Sequence, residues 1–126
     1  MAAPNAQLFE QLFDRSSDPV YIVDPSEDRI LDANPAGCGM LGYTREELLA
    51  TPVSHIHPAE IEQLREFLET VLRDGQGSTI KLTCRTKRGE FLPTEMSLFT
   101  FDSEGRVRIL GLVQDRSEHR HPAPRD

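Results

Sequence analysis

Apolar residues recur along this chain in two periods, and the change from one to the other divides it into elements. Near the start, Leu8, Phe9, Leu12 and Phe13 fall on one stripe of "QLFEQLFDR". That spacing predicts a short amphipathic helix over 7–15. It is too short to persist alone, so its stripe must dock on something. Residues 1–6 are expected to be unstructured. Residues 20–23 are mostly β-branched or aromatic, "DPSED" is turn chemistry, and 29–33 read as the returning strand of a hairpin. In "NPAGCGMLGYTREELL" the sequence predicts two short helices. Asn34 caps the first and Pro35 takes its first position, where no N–H is needed. Gly42 suits the left-handed stop, and Thr44 with Glu47 forms a capping box for the second. Gly37 and Gly39 weaken the first helix, so the segment exchanges helix strength for sharp changes of direction.

Pro52 ends that second helix, and "VSHIH" is ambiguous between a loop and a single turn. Pro58 opens the clearest helix, about 58–73. Ile61, Leu64, Phe67, Leu68, Val71 and Leu72 form its apolar face, Glu60 and Glu62 suit its N-terminus, and Gly75 suits its stop. The period then changes to two. Ile80, Leu82, Cys84 and Thr86 alternate with Lys81, Thr83, Arg85 and Lys87, which predicts a half-buried strand. A turn at Gly89, a strand over 91–101, the turn "DSEG" and a strand over 106–114 follow. Long strands joined by short turns make an antiparallel sheet, and the whole order predicts an α+β domain with helices on one sheet face.

Composition narrows the partners. The 126 residues suit one domain with a core of its own. A net charge of −7 argues against direct nucleic-acid binding. No apolar run approaches the roughly 18–20 residues that span a bilayer, so no membrane contact by this domain is expected, and no signal peptide is visible. Cys38 and Cys84 lack framework spacing, which fits reduced thiols in a cytoplasmic setting. The polar stretch after 118, including His119 and His121, reads as a tail or the start of a connector.

Chemistry-bearing residues are few. His55 and His57 could share a face of an extended segment, but no further ligand stands at typical spacing, so no metal site is expected and His57 reads as a cap or loop residue. Cys38 reads as a core thiol. Glu46 and Glu47 are helix neighbours that do not face one another, so they form no acid–base dyad. No nucleophile elbow, phosphate loop or zinc-enzyme motif occurs. No catalytic residue is assigned, and the chain is not expected to be an enzyme.

Taken together, "VYIVDP", "ILDANPAGCGMLGYTREELL", "HP" before the amphipathic helix, "RGEFLPTEMSL" and "GLVQDRSEHR" resemble the PAS domain family in order and spacing, across about 7–119. The resemblance implies a single domain over 7–118 and a five-stranded antiparallel sheet of order 2-1-5-4-3, with helices cupping one face. It implies a sensory module of a larger bacterial-type regulator, in which the same parent chain carries a kinase, a cyclic-dinucleotide enzyme or a transcription regulator as effector. It also implies homodimerisation through the N-terminal helix, with Leu8, Phe9, Leu12 and Phe13 at the interface and an outer sheet face bearing Phe91, Phe99, Leu110 and Leu112. The alternative is that this helix only covers its own sheet.

Alternation combined with the family's register places Tyr21, Val23, Ile80, Leu82, Cys84, Thr94, Met96, Leu98, Ile109, Gly111 and Val113 on the inner sheet face, and the long helix adds Leu64, Phe67 and Leu68. From these a candidate ligand pocket is drawn: Tyr21, Val23, Leu64, Phe67, Leu68, Leu82, Cys84, Thr94, Met96, Leu98, Ile109 and Val113. Apolar walls with few polar points describe a small-molecule site and equally an ordinary filled core, which would leave a purely structural dimerisation module. Haem and flavin are not expected, whereas an unknown small ligand is compatible. The flavin photosensor branch places a reactive Cys where this chain has Val53, and residues 59–74 contain no His to ligate haem. Asp115 and Ser117 match the family's closing signature, which ties the end of the sheet to the output. Such a junction is either a plain cap or a two-state element.

Overall fold

The computed structural model describes residues 4–57 and 60–117. Helix α1 runs Pro4–Arg15, strands β1 Val20–Asp24 and β2 Arg29–Ala33 follow, and then come α2 Pro35–Leu41, α3 Arg45–Leu49, α4 Val53–Ile56 and α5 Ile61–Asp74. Strands β3 Gln76–Thr79, β4 Thr83–Arg85, β5 Phe91–Ser103 and β6 Arg106–Asp115 complete the chain. All pairings are antiparallel, in the order β2-β1-β6-β5-β3, with β4 also on β5. If β3 and β4 are counted as one interrupted edge strand, this is the expected 2-1-5-4-3 order. Helix α1 begins at Pro4, earlier than expected, and the tail after 117, with His119 and His121, lies outside the described residues.

The interruption has a countable cause. Thr79 pairs with Met96, whereas Thr83 pairs with Pro93. Four steps on one side therefore answer three on the other, and the extra residue is a bulge. Its partner segment contains Pro93, which offers no N–H to the ladder. The extra residue shifts the phase of alternation. Gly77 and Thr79 sit opposite the inward Leu98 and Met96, and beyond the bulge the inward positions become Leu82 and Cys84, both buried. Ile80 was expected on the inner face; instead it lies in the interruption and is 57% exposed. On α5, Leu64 and Val71 are buried, but Ile61 and Leu72, also expected on the apolar face, are exposed.

The short helices are cut where the sequence predicts. The Asn34 carboxamide oxygen accepts from Gly37 N–H at 2.8 Å and from Val20 N–H at 2.9 Å, while its NH₂ donates to Asp18 O. One fully buried side chain thus caps α2 and fastens it to the start of β1. Gly42 ends α2 with φ 82°, the left-handed region that favours glycine. The capping box of α3 is present in both directions. Gly37 has a further reason to lack a side chain: a Cβ there would stand 3.0 Å from the Tyr21 ring.

The core lies between the inner sheet face and these helices, centred on Tyr21, Leu48, Leu64, Leu82, Met96 and Val113. A smaller cluster of Val71, Leu98 and Ile109 lies under α5. At the β1–β2 turn, Arg106 and Arg108 both reach the buried Asp24 carboxylate, at 3.0 and 2.8 Å. Hydrogen bonds from the Ser26 hydroxyl and N–H, with these two guanidiniums, hold that carboxyl below its ordinary range against the opposing effect of burial.

Candidate functional site: a small apolar cavity under the helices

Between sheet and helices lies a cavity of about 70 Å³. The sheet supplies Tyr21, Val23, Ile30, Cys84, Met96, Leu98, Ile109, Gly111 and Val113, and the helical side supplies Leu41, Val53, Ile56, His57, Leu64 and Leu68. Of the twelve residues drawn from the sequence, all but Phe67, Leu82 and Thr94 line it. Phe67 packs beside the cavity against both core clusters. Leu82 is buried in the core. Thr94 spends its hydroxyl on Leu82 O at 2.7 Å.

The walls that alternation did not reveal come from β2, the end of α2, and α4 with the residue after it. Ile30 and Leu41 are apolar residues in segments the sequence does assign, so only their depth was missing. Val53, Ile56 and His57 lie in the ambiguous "VSHIH". A residue 26 positions away orders that stretch: the Asp28 carboxylate accepts from Ser54 N–H at 3.0 Å and Ser54 hydroxyl at 2.6 Å. Asp28 does this from a left-handed backbone, φ 57°, which Asp tolerates in turns. Gly111 enlarges the cavity by its lack of a side chain; a Cβ would stand 3.0 Å from Leu98 Cδ2.

The polar groups at the wall are nearly all engaged. Tyr21 OH donates to Gly37 O at 2.8 Å, and burial pushes its phenol pKa up. The Cys84 thiol is pushed up to about 12, chiefly by burial, so it stays a neutral thiol. Half-buried Cys38 also stays a thiol, its pKa raised mainly by desolvation, and neither is an activated nucleophile. His57 is buried, 6% exposed, whereas His55 is exposed, so the two do not form a pair. His57 Nδ1 lies 2.6 Å from Thr83 O. A carbonyl can only accept, so Nδ1 carries the proton and Nε2 holds a lone pair. Burial pushes the imidazole below its ordinary 6.5, outweighing the Thr83 carbonyl and the charges of Glu60 and Asp28, which act the other way. Glu60 was expected at the positive end of α5. It stands there, as the N-cap residue, and its carboxylate accepts from Thr83 N–H at 2.8 Å and from the Thr83 hydroxyl. Among the described residues no group of three or more His, Cys, Asp or Glu could hold a metal ion.

On the outer sheet face Phe13 is buried and stacks with Phe9 at 5.7 Å between ring centres. That part of the expected interface is therefore packed within the chain. Leu8, Phe9 and Leu12 remain exposed, along a groove shared with Val20, Leu110 and Leu112. Phe91 and Phe99, expected under the same helix, are exposed and do not line that groove. At the end of β6, Asp115 accepts from the N–H of Ser117 at 2.8 Å and from its hydroxyl, and Arg116 N–H donates to Pro93 O.

An apolar hollow between a curled antiparallel sheet and a run of short helices is the architecture of a sensory-module fold. The family model for the PAS domain matches residues 17–118, and the chain belongs to that family. It is 27% identical over 89% of its length to the methyl sulfide methyltransferase-associated sensor of Methanosarcina acetivorans. It is 30% identical over 71% of its length to the oxygen sensor protein DosP of Escherichia coli. The chain spans only 11% and 12% of those two proteins. Among solved structures, it resembles a domain of the sensory box sensor histidine kinase/response regulator of Geobacter sulfurreducens, with a TM-score of 0.70 and 27% identity over 88% of this chain and 94% of that one. The chain is thus a PAS domain of the kind found in signalling proteins. No helix among its described residues is long and apolar enough to cross a membrane.

Proposed function

We propose that this PAS domain is a non-enzymatic receiver within a larger regulator, binding a small ligand in the cavity and passing the change through the end of β6 to an effector of the same parent chain. One observation carries the reading. Strand β6 lines the cavity with Ile109, Gly111 and Val113 and ends at Asp115, whose carboxylate holds Ser117. Receptor wall and exit are one continuous strand, so a shift at the wall reaches the exit without an intermediary. Sensor relatives support the sensing role. The cavity lies far below the roughly 300 Å³ of sites for drug-sized ligands, which supports a small ligand over haem or flavin; oxygen sensing is not carried over from DosP. A net charge of −7 supports protein rather than nucleic-acid partners, and two unpaired cysteines support a cytoplasmic setting.

The test is a double change, Asp115→Ala with Ser117→Ala, in the intact parent. The domain should fold and its output should no longer follow the stimulus; unchanged signalling would defeat the reading. The second reading is a dimerisation module with a filled core, and the exposed Leu8, Phe9 and Leu12 favour it. Native mass spectrometry separates the two: a co-purifying small molecule supports the first, and an empty dimer that Leu8→Lys with Leu12→Lys dissociates supports the second.

A further inference from the structure

If the cavity is a ligand site, as proposed above, its wall also says what kind of molecule enters. The lining is apolar except at Tyr21, Cys84 and His57. Tyr21 has committed its hydroxyl proton to Gly37 O, and a thiol is a weak hydrogen-bonding group. His57 differs: Nδ1–H is spent on Thr83 O, and Nε2 has no partner among the described residues. A buried acceptor left without a donor is costly. Water is a poor remedy, because an ordered water wants two to four polar partners and these walls offer few besides Nε2.

We propose that His57 Nε2 is the polar anchor of the cavity, and that the cavity takes a small, otherwise apolar molecule bearing a single hydrogen-bond donor, a short-chain alcohol being the simplest member of the class. The volume sets the scale. At about 70 Å³ the space exceeds what one water needs, roughly 10–15 Å³, and is about half of an apolar cavity that admits benzene. A ligand of a few non-hydrogen atoms fits, its alkyl part against Ile109, Val113 and Leu98 and its hydroxyl on Nε2. The single acceptor also sets the selectivity. A donor satisfies it, whereas an apolar molecule of the same shape leaves it buried and unpaired.

The probes are 1-propanol and 1-chloropropane, alike in shape and differing in the donor, titrated into the isotope-labelled chain and followed by NMR. Propanol should move the Ile109 and Val113 methyl signals saturably, shift the His57 Nε2 nitrogen, and bind about tenfold more tightly than chloropropane, the worth of one hydrogen bond. His57→Phe should bring propanol down to the level of chloropropane. Should that variant not fold, the Nε2 shift in the unaltered chain still decides. Equal binding of both probes, or methyl shifts with a silent Nε2, would overturn the anchor while leaving the cavity a ligand site. If neither probe binds, the anchor is overturned, while the sensing reading still stands or falls by the Asp115 and Ser117 double change.

Discussion

Two stretches of short helix lie over the same face of the sheet, and they differ in whether they carry side-chain caps of their own. Helices α2 and α3 are fixed largely from within their own segment: Asn34 caps the first, Gly42 ends it, and Thr44 and Glu47 close on each other. Helix α4 and the entry to α5 have no side-chain cap of their own, neither at Pro52 nor at Glu60. Asp28 holds Ser54 from the β1–β2 turn, and Thr83 takes up both His57 and Glu60. The first roof carries its own side-chain caps besides its ties to β1 and to Lys87, whereas the second, without such caps, is held by side chains distant in sequence. The second is therefore the one that can loosen without the fold coming apart, and it carries the only polar anchor we assign.

That contrast can be broken at several points. The largest effect belongs to Asn34→Ala. It uncaps α2 and strands buried groups of β1, and should cost about 3 kcal/mol in a urea denaturation series. Asp28→Ala should cost less, about 1–2 kcal/mol, and act locally: amide exchange should speed up at 54–57 while α2 keeps its protection. Equal acceleration in both would dissolve the distinction. Thr44→Ala removes the exposed capping box and should cost about 1 kcal/mol, with propanol binding unchanged.

The smallest effect is one of pH. The folded chain holds His57 neutral below its ordinary 6.5, so on acidification the unfolded chain takes up that proton first. The contribution of His57 to stability is complete above about 6.5 and declines as the pH falls through the window below it. In His57→Gln that decline should be absent, and comparing urea midpoints near neutral pH and about one unit below 6.5 would show whether it is.

The legibility of the chain follows the same divide. Asn34, Gly42, Thr44 and Gly75 announced their turns, because a cap or a left-handed position is decided within a few residues. Ile80 misled because the bulge between Thr79 and Thr83 arises from pairing with β5, and one added residue reverses the face of everything beyond it. Phe13 belonged to the right stripe, but only its place against Phe9 and the sheet decided that it packs within the chain. His57 sat in a segment with no periodicity, and nothing near it in sequence hints at Thr83.

The sequence by itself determined most of the elements, the caps of α2 and α3 and the antiparallel α+β order, since each rests on contacts between near neighbours or on a period repeated along one segment, and its motifs carried the resemblance to the family. Tertiary structure alone decided the size of the hollow, the face of Ile80, and which ring nitrogen of His57 meets Thr83 O. Those depend on groups distant in sequence being brought together, Tyr21 beside Gly111, Met96 opposite Thr79, and Thr83 within hydrogen-bond distance of His57, and a linear pattern carries no measure of that distance.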